Sequence, residues 1–176
     1  FTMGIIVSVL MGMILTLPIS SAALSISLNL TGLAAGAATV GCCANMIGFA
    51  VASFKENGWG GLLSQGLGTS MLQVPNIIKK PLIWLPAIIA SAILGPISTT
   101  VLRMESNAIG AGMGTSGLVG QVAMIEVMGS SPSVLFQIAF MHFILPAILA
   151  WTIAVSMRKL GWIHSGDMKL ANPSKK

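Results

Sequence analysis

Charge is what this sequence has least of. Only 7% of its 176 residues are Asp, Glu, Lys or Arg, while 55% are hydrophobic. A soluble domain carries roughly 25% charged residues, so a water-soluble globule of this size is excluded. What remains is a chain whose outer surface faces lipid. Cysteine is also scarce. Cys42 and Cys43 are adjacent in an apolar segment and belong to no CxxC or Cys/His set, so they read as small packing residues. P-loop, GxSxG, HExxH and clustered metal-ligand motifs are all missing. Covalent catalysis by this chain is therefore not expected, nor is a cofactor or a metal. The GxGxG at residues 110–114 follows no strand and is not a dinucleotide fingerprint. The net charge is +5, but the cations sit at the ends of apolar runs and in the tail rather than on one face. Nucleic acid is not an expected partner, and the charge reads as a topology signal.

What the chain does have is apolar length. A membrane-crossing helix needs roughly 20 predominantly apolar residues. Four segments meet this, at residues 2–24, 32–54, 82–102 and 134–157. Pro18 lies in the first, Pro86 and Pro96 in the third, and Pro146 in the fourth. Such prolines predict kinks or broken helices. The 20 glycines suit closely approaching membrane helices. Residues 55–81 place Trp59, Leu62, Leu63, Leu67 and Met71 at helical spacing, which predicts a helix lying in the membrane interface. The chain begins at Phe1 inside an apolar stretch, with neither an initiator Met nor a positive n-region. It reads as a piece of a longer membrane protein rather than as a signal peptide.

Charge bias orders these segments. The loop between the second and third holds Lys55, Lys79 and Lys80; the tail holds Arg158, Lys159, Lys169, Lys175 and Lys176. Both are therefore expected on the cytoplasmic side. The third and fourth segments must then go out and come back, so residues 103–132 are expected to enter and leave the membrane from the outer side. The expected fold class is all-α: a polytopic transmembrane protein with about four spanning helices, a re-entrant hairpin and an interfacial amphipathic helix.

The hairpin stretch carries the chemistry. It holds Gly110, Gly112, Gly114, Gly117 and Gly120 between Glu105 and Glu126. Glycines expose backbone groups to a ligand, and hairpin helix ends can point partial charge at it. Glu105 can accept two hydrogen bonds from neighbouring hydroxyls, the arrangement a sugar or polyol offers. Asn107, Ser106, Thr115 and Ser116 add donors and acceptors. Thr99 and Thr100 end the third segment beside the hairpin. His142, Gln137 and Asn45 are polar groups inside spans, where function and a single interhelical hydrogen bond are competing readings. The candidate substrate-binding set is Glu105, Asn107, Ser106, Gly112, Gly114, Thr115, Thr100 and His142. Valine at Gly112 or Gly114 is expected to harm function more than alanine at Gly36.

At GPISTTVLRMESNAIGAGMGTSGLVGQ (residues 95–121), with GCCANMIGFAVASFKENGWGGLLSQGLGTSMLQVPNIIKKP (residues 41–81), the chain resembles a bacterial family. Its members are membrane proteins assigned to phosphotransferase-system EIIC components, among them PfoR-type proteins labelled toxin regulators. The resemblance covers nearly all of the chain up to the tail and looks like the C-terminal half of a longer member. It implies an EIIC-like translocation domain at 1–160 and a cytoplasmic tail at 161–176, in the bacterial plasma membrane. It also implies a sugar substrate, delivery to a cytosolic IIB domain, a homodimer, and a carboxylate near the sugar, for which Glu105 is the nearest match. The phospho-carrier residues belong to separate IIA and IIB domains. The GITEP-like motif of glucose-type EIIC proteins is missing.

Three functions follow: sugar translocation, ligand sensing without transport, and a membrane assembly in which the glycines only pack helices. The topology has its own test. Cysteines placed at Leu30 and Ser130 should react with an impermeant reagent from outside, and one at Ser174 only from inside. Outside labelling at Ser174 would contradict the topology.

Overall fold

The structure is a computed structural model that describes residues 1–171. Ser174, Lys175, Lys176 and the rest of the expected tail beyond 171 lie outside the described residues. Among the described residues, three helices are long and apolar enough to cross a membrane: Gly32–Ala52, Pro81–Val101 and Pro132–Lys159.

Helix α1 spans Thr2–Thr16, α2 Ser21–Ser27 and α3 Gly32–Ala52. The expected first span at residues 2–24 is thus not one helix. The residue before a proline is pushed out of the α region, and Leu17 accordingly adopts φ −75°, ψ 158° ahead of Pro18. Ser20 then caps α2 by accepting from the Ala23 N–H at 3.2 Å.

Helix α3 is the axis of the fold. Its residues from Ala35 to Met46 are all buried. Small side chains let its neighbours reach its backbone: a Cβ on Gly41 would collide with the Ser8 carbonyl of α1. The same holds at Gly36, where a Cβ would fall on the Met104 carbonyl. Alanine at Gly36 would therefore also meet backbone, so the contrast expected between Gly36 and Gly112 or Gly114 is not one between open space and close packing. Gly60 and Gly68, with nothing within 4 Å of their would-be Cβ atoms, are positions that have room.

The loop at residues 55–81 also departs from expectation. It is not one amphipathic helix but a succession: α4 Phe54–Leu63, a π turn at Ser64–Gly68, a 3-10 turn at Ser70–Gln73 and α5 Val74–Lys79. Gly58, at φ 60° and ψ −156°, interrupts α4. Gln65 and Gln73 are fully buried. A helix lying on a membrane surface would leave such amides in water.

The span Pro81–Val101 contains α6 (Leu85–Pro96) and closes in a π turn at Ile97–Val101. It runs antiparallel to α3, with Ala87 against Gly48 and Met104 beyond its end against Gly36. Two short helices follow, α7 Ala108–Met113 and α8 Val119–Met128. At about 1.5 Å per residue, neither can cross a hydrocarbon core of about 30 Å. The last span comprises α9 Pro132–Ala139, a π turn at Phe140–Ile144 and α10 Leu145–Lys159. A proline ring clashes with the carbonyl four residues back; for Pro146 that carbonyl is His142, inside the π turn.

At the Ala52 end the chain is tied by polar groups. Arg158 Nη2 donates to the Ala52 carbonyl at 3.0 Å and to Glu56 Oε1 at 2.9 Å. Glu56 also accepts the Met168 N–H at 2.8 Å. Asn57 bonds Met168 O and Leu170 N as a strand would, and Gln73 donates to Met168 O at 3.0 Å. Lys80 Nζ lies 2.7 Å from Asp167 Oδ2. Burial works against the Asp167 charge, but Lys80 and the His164 N–H hold its carboxyl below the usual carboxylate range.

Candidate functional site

Two breaks in helix, reached from opposite ends of α3, meet beside its middle. From the Ala52 end, α4 leads back along α3 until Gly66 packs on Ala50 and Ile47, and the chain then returns through α5. From the Gly32 end, Ser106 pairs with Gly32 and α7 leads along α3 to Gly114, which sits against Cys42 and Cys43. Gly114 has φ 54° and ψ −127°, a conformation that a side chain would strain. The chain then turns back through α8, with Gly120 beside Thr39. Asn107 at the start of this hairpin donates to Glu126 Oε2 near its end, at 3.3 Å.

The two turns bond to each other. The Thr115 hydroxyl donates to the Gly66 carbonyl at 2.5 Å, and the Ser116 hydroxyl to the Gly68 carbonyl at 2.9 Å. A third break joins them: Thr16, at the end of α1, has its hydroxyl 2.9 Å from that of Ser70. Ser21 of α2 donates to the Gly112 carbonyl at 2.6 Å. Between the three breaks lies a cavity of about 220 Å³. Ser20, Ser21, Thr69 and Ser116 line it, together with the apolar Leu15, Met46 and Met113.

The eight expected site residues fall into separate places. Gly112 lines the junction cavity, and Gly114 and Thr115 form the turn beside it. Glu105, Ser106 and Asn107 stand at the Gly32 end. Glu105 is exposed, and its backbone N–H donates to Met128 Sδ at 3.2 Å. Ser106 is buried, with its hydroxyl unpaired among the described residues. Asn107 caps α7 by accepting from the Gly110 N–H at 3.0 Å. Thr100 is exposed and donates to the Pro96 carbonyl at 2.7 Å. His142 is fully buried, with Nδ1 2.8 Å from Gln121 Nε2 and with Nε2 unpaired among the described residues. Asn45 is an interhelical hub: it donates to Ser91 Oγ at 3.1 Å and accepts from Trp84 Nε1 at 2.9 Å.

Gly66, Gly68, Thr69 and Met71 are not among the expected site residues, although a signal for them exists. GLGTSML at residues 66–72 and GMGTSGL at 112–118 are the same pattern, G-x-G-T-S-x-L. The two copies are the two turns that meet. Treating residues 55–81 as a surface helix hid the first copy.

Among the described residues, three long apolar helices with shorter helices packed against them define a multi-pass helical membrane protein. The chain belongs to the family described as Phosphotransferase system, EIIC, whose model matches residues 1–170. No curated protein and no solved structure gives a match. The protein is thus a membrane EIIC-like sugar-transport component of a phosphotransferase system, and that family role implies a sugar substrate and a IIB domain as partners.

Removing the Thr115 hydroxyl leaves the buried Gly66 carbonyl without its donor, a loss worth about 1–3 kcal/mol. Thr115→Val should therefore lower the thermal midpoint in detergent more than Ser116→Ala does, because Ser116 is only half-buried. A Thr115→Val midpoint equal to that of the wild type would contradict the turn-to-turn contact.

Proposed function

We propose that the sugar is held at the junction cavity, between the two G-x-G-T-S-x-L turns and the break after α1. The meeting of two hydrogen-bonded turns at one cavity is the observation that supports this reading. Non-helical backbone at membrane depth is tolerated only where protein buries it or it lines an aqueous space, and this cavity joins both conditions. At about 220 Å³ it is smaller than the roughly 300–1,000 Å³ of drug-sized ligand pockets. It suits one sugar ring or a polyol. Ser20 and Thr69, whose oxygens accept backbone N–H groups, keep a hydroxyl proton to donate to a sugar, and Ser21 and Ser116, which donate to carbonyls, keep lone pairs to accept from one.

In this reading residues 103–132 are a re-entrant hairpin from the outer face, and residues 54–79 a second one from the cytoplasmic face. Trp59 lies at headgroup depth, and the loop base and the tail are cytoplasmic. Supporting this, each hairpin begins and ends at one end of α3, and the Lys80 and Arg158 pairs cluster at the Ala52 end. Glu105, Ser106, Asn107 and Thr100 form the outer approach, and His142 buttresses the outer hairpin through Gln121. The protein works as a homodimer that delivers sugar to the IIB domain.

Sugar-dependent thermal shifts and uptake into reconstituted vesicles test this together. Sugar at a hundredfold excess over its dissociation constant should add about 2.7 kcal/mol. Met113→Trp, which fills the cavity from a half-buried position, should abolish both the shift and uptake and keep the unliganded midpoint. Glu105→Gln should slow uptake at low sugar and leave the saturated shift intact. A full shift in Met113→Trp would place the sugar elsewhere. A shift without uptake in the wild type would favour a sensor.

A further inference from the structure

The junction cavity is not alone along this path. A larger cavity of about 750 Å³ lies at the Ala52 end, between the α4 hairpin arm and the tail. Glu56, Asn57, Ser64 and Leu72 line it, with Lys169 and Leu170 on the tail side. Among the described residues, Met71 borders both cavities.

The backbone that carries Met71 is pinned on both sides. Ser70 meets the Thr16 hydroxyl, and the Met71 N–H donates to Thr69 Oγ1 at 3.1 Å. Gln73 is fully buried and donates to Gln65 Oε1 at 2.8 Å and to the Met168 carbonyl. The turn is therefore fixed, while the side chain at position 71 is half free, at 39% exposure. Methionine has three rotatable bonds beyond Cα and fills irregular gaps by changing rotamer. A flexible plug on a fixed backbone can open a passage without moving a helix.

The repeated motif gives a built-in comparison. Met71 occupies the x of T-S-x-L in the first turn, and Gly117 occupies it in the second. Gly117 has φ 54° and only the Val119 side chain near its would-be Cβ, at 4.0 Å. It borders a third cavity of about 200 Å³, with Asn107 and Glu126, at the other end of the fold. The matched positions thus carry a long side chain beside the cavity that reaches the Ala52 end and none beside the cavity that reaches the Gly32 end.

We propose that Met71 is the size gate between the junction cavity and the cavity at the Ala52 end, and that the bulk of this one side chain sets what passes between them. The gate rests on the proposed sugar site for its physiological meaning, but its test needs no sugar. In a Cys42→Ala, Cys43→Ala background, a reporter thiol is introduced by Met113→Cys in the junction cavity. An impermeant maleimide is applied separately from each face of oriented vesicles.

Met71→Ala and Met71→Gly should each raise the labelling rate from the Ala52 face at least tenfold, and Met71→Trp should lower it. The rate from the Gly32 face should stay within twofold. Leu72→Ala, which changes only the larger cavity, should leave both rates unchanged, and matching thermal midpoints show that every variant is folded. Labelling that ignores the size of residue 71, including no labelling in any variant, would overturn the gate, as would a Leu72→Ala effect equal to that of Met71→Ala. Size-dependent labelling without any sugar-dependent shift would leave the gate standing and sink the sugar site. Size-independent labelling with normal sugar binding would do the reverse.

Discussion

Backbone hydrogen bonding in the absence of water is the constraint on which this structure depends. Each break in helix frees N–H and C=O groups that lipid cannot satisfy. Here the breaks are brought to one place, where they satisfy one another. Gly66 and Gly68 present carbonyls, and Thr115 and Ser116 present hydroxyls to them. Ser21 takes the Gly112 carbonyl, and Thr16 meets Ser70. Exposed to hydrocarbon, each unpaired group would cost several kcal/mol. Such costs favour turns that stay together and a cavity that stays polar on one side.

The small residues of α3 make this convergence possible. Gly36 and Gly41 lie against the Met104 and Ser8 carbonyls, so the neighbouring segments pack at backbone distance. Asn45 then ties α3 to α6, to Trp84 and to the end of α1 through its amide. The hairpin turns rest on this rigid centre, with Gly114 on Cys42 and Gly66 on Ala50. Packing without a hydrophobic drive between helices relies on such close contact and on interhelical hydrogen bonds. The polar groups at the Ala52 end add a separate fastening, in which Glu56 joins the last span to the tail.

Composition and apolar length were enough to read the membrane class and three of the spans from the sequence. The glycines between Arg103 and Pro132 marked a helix break, and Gly112, Gly114 and Thr115 lie at the junction. The failures have physical causes. Hydropathy over residues 2–24 is continuous, yet Pro18 forces Leu17 out of the helix, so apolar length alone hides the break there. In residues 55–81 the apolar spacing suggested a surface helix, but Gln65 and Gln73 are buried and bond each other. A period fitted to exposed leucines could not reveal where the amides go. The repeat shared by residues 66–72 and 112–118 was legible, and its meaning depended on knowing that the two copies face each other.

A disulfide between the two turns tests their meeting most directly. Gly68 has open space around its would-be Cβ, and Ser116 Oγ lies 2.9 Å from its carbonyl. With Cys42 and Cys43 replaced by alanine, a Gly68→Cys, Ser116→Cys pair in native membranes should oxidise to completion under mild catalysis, and mass spectrometry should find the two peptides joined. Two thiols that stay free and react independently with maleimide would show that the turns do not meet, and the shared cavity would go with them.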